Sequence, residues 1–587
     1  MEINLNRYLK QETNCFTSFF ICLIYVRILR SKDAVHNRLT HVSSSPKGSF
    51  PLIGENVFAM VHIASLDVGT TNVRCFILNG KCDIEGSAVE SVDLLSPKPG
   101  YFEIEPEALW CKIVKVITDA IRDAQLTPAQ ISCLGISSQR CTFLTWNHRT
   151  NTYYSNFITW KDLRASSLVD QWNNGLMRKT INTLAYGLYL ATRSKRFLAG
   201  SIIQMMNGQV TPRLLHEIQS KPDLQQAFKE KTARIEFLDS WILYKLRSGN
   251  GLQPDVEHIS DITSCTATGI FDPFILDWSP MIAFLFGIDT TLLPKIVDNS
   301  HKEFGTVHPL AFQPHGANWE GVHIPISAST SDQTAAIWGS TCFDVGDSKI
   351  TLGTGAFLDL ITGPECHASL LGMYPLVAWQ FRHSSNKAHT TFCFEGAVHD
   401  VGTIIEWAKS CGLVEDVAET APVAESVEDT GGVYFVPAFS GLGPPINDFK
   451  AGSGFLGVTP STRRAHLVRA MLESIVFRVV QLCETAEKET NLKLRIVDGG
   501  VSRNNFICQF LADITGIPVE TPQNSESSIM GVSFMAGINL GLWKDTEEIR
   551  KFRKIGRVFE PCEQRRQEIK ERMETWNKVI QRFKNWY

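Results

Sequence analysis

From Val61 to Leu78 (VHIASLDVGTTNVRCFIL) the chain is apolar, breaks at a glycine followed by two threonines, and becomes apolar again. That pattern predicts two strands joined by a tight turn. Ala108 to Ala124 places Leu109, Ile113, Val116, Ile117 and Ile121 at helical spacing, so an amphipathic helix follows. Ile131 to Ile136 and Phe143 to Trp146 read as buried strands, and the alternation of strands and helices indicates α/β layers. The pattern restarts near Ile326. Asp347 to Thr362 (DSKITLGTGAFLDLIT) is again strand, turn, strand, now with Gly353-Thr354-Gly355 at the bend. Two such hairpins, each opening an α/β segment, predict two related halves facing each other. A third glycine-rich element, Asp498 to Asn505, follows the expected strand Leu494 to Val497 and precedes a helix starting near Phe506. Beyond Thr546 the chain is charged. It ends in an amphipathic helix expected to dock Trp576, Val579, Phe583 and Trp586 on the body.

Length and composition narrow the class. A chain of 587 residues is too long for one core. Its 44% hydrophobic and 20% charged residues are ordinary for a globular protein. A net charge of −4 gives no general pull toward nucleic acid, which is not expected as a partner. The fifteen cysteines are scattered and never spaced Cys-x-x-Cys, which argues against a disulfide framework or zinc site and for a reducing compartment. Neither a His-Glu-x-x-His nor a Walker-type phosphate loop is present. Cys15 to Val26 is an apolar run between Lys10 and the cations Arg27, Arg30 and Lys32. It is shorter than the roughly 20 residues of a membrane span and lacks a signal-type cleavage site. A cytoplasmic location is expected, with membrane attachment through this segment left open.

Phosphoryl transfer asks for backbone N–H groups around phosphate oxygens, a carboxylate for magnesium, and a base beside the acceptor hydroxyl. The Gly69-Thr70-Thr71 turn can supply the first, because glycine admits close approach and the threonines add hydroxyls. Asp67 stands where it can face a magnesium shell, and Arg74 could meet a phosphate. In Ile324 to Ala336 (IPISASTSDQTAA) Asp332 and Gln333 lie between a short strand and a small-residue helix. From this segment alone Asp332 is a helix cap or a base, and capping is the commoner role. The Asp498-Gly499-Gly500 junction before a helix is a natural nucleotide contact.

Together these segments resemble the FGGY carbohydrate kinases and, within them, glycerol kinase. The resemblance runs from Val61 to the C-terminus through LDVGTTNVR (Leu66 to Arg74), ISSQR (Ile136 to Arg140), ITW (Ile158 to Trp160) and LDSWILYKL (Leu238 to Leu246). It continues through SDQTAA (Ser331 to Ala336), GTGAF (Gly353 to Phe357), VPAFSGLGPP (Val436 to Pro445), LESIVFR (Leu472 to Arg478) and DGGVSRNNF (Asp498 to Phe506). It implies an α/β fold of two actin/hexokinase-like (ribonuclease H-like) domains with the active site in the cleft between them. The expected organisation is an extension over residues 1–60, an N-terminal domain over 61–327, a nucleotide domain over 328–545 and a helical segment over 546–587. The implied reaction is ATP-dependent phosphorylation of glycerol to sn-glycerol 3-phosphate with Mg²⁺. The resemblance assigns Thr70, Thr71 and Arg74 to nucleotide phosphates and Asp67 to the metal. Thr354, Gly402, Gly500 and Asn504 complete the ATP site. Arg140, Trp160, Asp332, Gln333 and Phe357 contact the polyol, with Asp332 as general base. Self-association is left open.

Three positions depart from the family. A glutamate that holds glycerol is here Cys141, a substrate tyrosine has no equivalent in the divergent run Leu188 to His216, and a glutamine near the adenine is Glu406. Losing hydrogen-bond partners to a polyol costs more selectivity than losing a methylene. Two alternatives follow: a kinase of another polyol or ketose, or a nucleotide-binding regulatory protein with little turnover.

Overall fold

The computed structural model describes residues 61–587 apart from 252, 254, 301, 303, 316–318, 383–387, 490–493 and 524–525. The extension over residues 1–60, with its apolar run, lies outside the described residues. The first lobe opens with β1 (His62–Val68), β2 (Asn72–Asn79) and β3 (Ile84–Ser91), followed by helix α1 (Pro106–Asp123). The Glu105 side chain caps α1 at Ala108 and Pro106 occupies its first turn, so the helix starts where its sequence dictates. Leu109, Ile113, Val116, Ile117 and Ile121 are buried against the sheet, as their spacing predicts. β4 (Cys133–Ser138) starts two residues later than expected, because a turn of 3₁₀ helix, Pro128–Gln130, precedes it. After an inserted helix, α2 (Leu176–Thr192), the lobe closes with β5 (Ile326–Ser331). The strands lie in the order β5-β4-β1-β2-β3. β4 and β5 run parallel to β1, and β2 and β3 are antiparallel neighbours. Position 327, the expected end of the first domain, falls inside β5. Phe143–Asn147, also foreseen as a strand, belongs to a second, smaller sheet beside the first.

The second lobe repeats the plan. Helix α3 (Asp332–Gly339) leads into β6 (Asp347–Leu352), β7 (Ala356–Gly363), β8 (Tyr374–Arg382) and β9 (Ala388–Val398), then α4 (Gly402–Ser410) and α5 (Arg464–Glu489). β10 (Leu494–Asp498), α6 (Asn505–Thr515), β11 (Val519–Pro522), α7 (Ser527–Leu540), β12 (Ile555–Phe559) and α8 (Glu563–Phe583) complete it. The sheet order is β8-β9-β7-β6-β10-β11-β12. Its centre, β9-β7-β6-β10-β11, copies the first sheet: a hairpin with a third antiparallel strand on one side and two parallel strands on the other. In α8, Trp576 and Val579 are buried and Phe583 packs against the core. Trp586 lies past the helix end and is 69% exposed, so it is not part of the docked face.

Helices α3 and α7 cross where the lobes meet, and glycine permits the crossing. A Cβ on Gly531 would stand 1.7 Å from the Ala335 carbonyl oxygen, and one on Gly339 would stand 1.9 Å from that of Ser527. No side chain fits at either place. The helix pair is buried in a core that also takes Ile63, Ala328 and Ile496 from the two sheets.

Candidate active site between the lobes

Parallel pairing brings the first group of candidate residues together. Val68 on β1 and Ser331 on β5 are both in register with Ser138 on β4. Gly69, Gln139 and Asp332 therefore leave the sheet side by side at its carboxyl edge, where open α/β sheets bind ligands. Asp67 is 2% exposed. It accepts hydrogen bonds from Ser137 Oγ (2.7 Å) and Ser528 Oγ (3.2 Å), and pairs with Arg74 Nη2 at 2.5 Å. Arg74, on β2, also reaches Glu526 at 2.5 Å, so the second lobe grips the β1–β2 hairpin. Thr70 Oγ1 donates to Gln139 (2.7 Å) and accepts from Trp160 Nε1 (2.9 Å). Trp160 meets Phe357 of β7 edge-on, with centroids 6.1 Å apart. Thr71 is exposed beside it.

The structure gives the capping position to the neighbour of Asp332. The cap of α3 is Ser331, whose hydroxyl accepts from the Thr334 N–H, while Asp332 is the first residue of the helix. Among the described residues its carboxylate takes the neighbouring Gln333 N–H (2.8 Å), and the residue is partly exposed. Burial pushes this carboxyl up to about 6, opposed by Arg140 and reinforced by Asp67. Arg140 pairs with Glu395 of β9. Burial works against the Arg140 charge, but Glu395, Asp332 and Asp359 outweigh it and raise its pKa. Gln333 Oε1 accepts from Lys349 Nζ at 3.1 Å. Lys349 is fully buried and lies 3.3 Å from Asp359 across the β6–β7 ladder.

The second group sits at the matching edge of the second sheet. Thr351 is in register with Asp498, so the Gly353-Thr354-Gly355 turn and the Gly499-Gly500 junction emerge together. The Gly402 N–H donates to the carbonyl oxygens of Gly353 and Thr354, both at 3.0 Å. A Cβ on Gly402 would lie 2.7 Å from the Gly353 oxygen, and one on Gly355 would lie 2.6 Å from that of Val398. Gly499 has φ +87°, a conformation that favours glycine. Gly500, by contrast, has no atom within 4 Å of where its Cβ would be: it faces open space. Asn504 caps α6 at the Ile507 N–H (3.2 Å) and donates to Thr420 (3.0 Å), so both ends of its amide already hold the fold.

Cys141, the departure from the family, has φ +59° and is 8% exposed. Its thiol lies 3.2 Å from the Ala267 carbonyl oxygen, and its own carbonyl accepts from Arg213 at 2.7 Å. Burial raises this thiol to about 11, so it is a neutral wall. Arg213, fully buried, also donates to the carbonyls of Ile158, Thr159 and Gly208. It thereby pins the end of the divergent segment next to Trp160.

Two family models match this chain and together cover most of the described residues up to 540. The N-terminal domain of the FGGY family of carbohydrate kinases covers residues 62–339, and its C-terminal domain covers 348–540. The chain belongs to the FGGY family of carbohydrate kinases. Among its relatives, glycerol kinase 5 of Danio rerio is 40% identical over 532 residues, spanning 89% of this chain and 97% of that one. Glycerol kinase 5 of Homo sapiens is 39% identical, spanning 89% and 96%. Glycerol kinase 2 of Thermotoga maritima is 31% identical over 90% of this chain and 99% of its own. Among solved structures, Plasmodium falciparum glycerol kinase with ADP superposes with a TM-score of 0.76 at 25% identity, covering 89% of this chain and 98% of that one. As an FGGY kinase, the chain has the actin/hexokinase-like two-domain fold and is a phosphotransferase acting on an alcohol group. The family implies ATP as its phosphoryl donor.

Sequence reading missed Glu395, Lys349, Asp359 and Glu526. A lysine and an aspartate inside the otherwise apolar strands of DSKITLGTGAFLDLIT were the available signal, since buried charges need partners. Glu395 gave none beyond a single carboxylate in FCFEGAV.

Proposed function

We propose that the chain transfers the γ-phosphoryl group of ATP to a terminal hydroxyl of glycerol, giving sn-glycerol 3-phosphate, with Asp332 as general base. The observation that carries this reading is Asp332 itself: an uncapping, cleft-facing carboxylate at the meeting edge of three parallel strands, beside Arg140 and Asp67. Arg140, Gln333, Trp160 and Phe357 form the acceptor wall. The turns at Gly69-Thr70-Thr71 and Gly353-Thr354-Gly355 offer backbone N–H groups to the phosphates from opposite lobes, and Arg74 neutralises phosphate charge. Gly402, Gly500 and Asn504 border the nucleotide, with Gly500 leaving room for it. The acceptor oxygen gives its proton to the Asp332 carboxylate and forms the new O–P bond. The bond from the γ-phosphorus to the β,γ-bridging oxygen breaks, and ADP leaves with that electron pair. Closure of the lobes excludes water that would otherwise take the acceptor's place.

The residues also fit a nucleotide-borne Mg²⁺, which needs only one or two protein carboxylates. Asp67 would supply one, and Asp498, whose Oδ1 is buried without a hydrogen-bond partner among the described residues, would supply a second. Among the described residues no group of three or more candidate ligands forms a self-sufficient metal site. Mg²⁺ bound there would neutralise charge between the phosphates.

Cys141 favours a second reading, in which the acceptor is a different polyol or a ketose. The test is ADP release by the purified chain with glycerol, pentitols and ketoses, with the product identified by phosphorus NMR. Glycerol-dependent ADP release and a glycerol 3-phosphate resonance are expected. Turnover with another acceptor alone would favour the second reading, and nucleotide binding without any phosphorylated product would replace both by a regulatory protein.

A further inference from the structure

Helix α2 is out of keeping with the rest of the fold. In 17 residues it buries none, although its sequence, LMRKTINTLAYGLYLAT, is largely apolar. Its inner side, with Ile181, Ala185, Leu188 and Tyr189, is only half-covered. Its outer side carries Leu176 (80% exposed), Tyr186 and Leu190 (49% each), with Met177 and Leu184 also exposed. The spaces between them are filled by Thr180, Thr183, Gly187 and Ala191, small residues that leave a smooth apolar stripe. The apolar side of an amphipathic helix is normally covered, and a contiguous exposed apolar patch marks an interaction surface.

Charge says what covers it. Residues 176–203 contain Arg178, Lys179, Arg193, Lys195 and Arg196 and no aspartate or glutamate. Lys195 and Arg196 pair with Glu365 and Asp272. Arg178, Lys179 and Arg193 form no ion pair among the described residues. Lys179 stands on the apolar face, and Arg193, at the left-handed C-cap of α2, lies over the Tyr189 ring. A two-fold contact with a second copy would set these cations against themselves with no carboxylate on either face to answer them. An acidic protein groove would need several directed polar contacts, and beyond Lys179 and the Tyr186 hydroxyl the stripe offers threonine hydroxyls, two of which already bond backbone within the helix (Thr180 and Thr183). An anionic lipid surface needs neither: apolar residues enter the headgroup boundary while tyrosines and cations stay at its level.

We propose that α2 is a peripheral docking helix for an anionic lipid bilayer, seating Leu176, Leu184 and Leu190 in the interface, with Lys179 and Arg193 facing the headgroups. Among the described residues no helix is long and apolar enough to cross a membrane, so the contact is interfacial. The inference is independent of the acceptor chemistry.

The test uses the full chain in cosedimentation with vesicles of phosphatidylcholine alone, or with about one-third phosphatidylserine. Binding to the phosphatidylserine vesicles only, weakened by salt, is expected. Leu184→Asp with Leu190→Asp should abolish it. Lys179→Glu should weaken it roughly five-fold or more, the scale of one cation near an anionic surface. These exposed substitutions leave kinase turnover unchanged, which also checks folding. Wild-type protein that ignores both vesicles overturns the proposal, as does binding that survives the leucine pair. Light scattering that shows a dimer dissolved by the leucine pair, with no vesicle binding, would instead assign the face to a second copy.

Discussion

The two sides of the cleft are built from different materials. On the proposed donor side the phosphate turns are set by backbone, at Gly69 and Gly353 and at glycines 355, 402 and 499, whose Cβ atoms would collide with carbonyls or whose φ favours glycine, although Asp67 and Arg74 also take side-chain contacts from Ser528 and Glu526. On the acceptor side, positions are set by side chains that arrive from far apart in the chain. Arg140 meets Glu395 across 255 residues, and Trp160 meets Thr70 across 90. Backbone devices tolerate little change. A side-chain wall can be rewritten one residue at a time, which is where Cys141 and the segment around α2 diverge. In the account given above, the donor is therefore fixed by the fold and the acceptor by a few replaceable contacts.

The sharpest way to break this contrast is at the base. Asp332→Asn should lower kcat by about 10²–10⁴-fold, the usual worth of a positioned general base, while nucleotide affinity by calorimetry stays unchanged. Next comes a donor-side backbone change. Gly499→Ala places a Cβ 2.6 Å from the Leu352 oxygen at φ +87°. It should destabilise the protein by about 1–3 kcal/mol, seen as a lower melting temperature, and weaken ATP binding with it. A donor side that absorbs this change would erase the distinction. Glu395→Gln should do the reverse, raising the acceptor KM about ten-fold through the loss of a charge-assisted bond to Arg140 and sparing the KM for ATP. The pH profile follows from Asp332. Its folded carboxyl titrates near 6 and must be ionised to accept a proton, so kcat/KM should fall about ten-fold per pH unit below that value and level off above it. Smallest is Cys141→Ala, where a neutral thiol is lost from the wall: a change under about three-fold in acceptor KM is expected.

The glycine-rich backbone elements on one side of the cleft were legible in the sequence because their signals are local. A glycine-threonine turn between apolar runs announces a hairpin, and Asp498-Gly499-Gly500 announces a strand-to-helix junction. The duplicated sheet order follows from the two hairpins. Asp332 was half-legible: the local pattern allowed a cap, and only the structure shows that Ser331 fills that role. Glu395, Asp359 and Lys349 were hidden, since each stands inside a strand whose neighbours are core residues. Their partners are fixed by strand register, which no short window displays. The edge strand β12 and the exposed position of Trp586 were missed for the same reason, because what a charged or aromatic residue meets depends on tertiary packing.

The most direct test is acceptor-dependent ADP release by the wild-type chain beside Asp332→Asn, both with ATP and Mg²⁺. The account predicts release that requires an added polyol and collapses in the variant while ATP still binds. Release that is equal in both proteins, or indifferent to every acceptor, would contradict it.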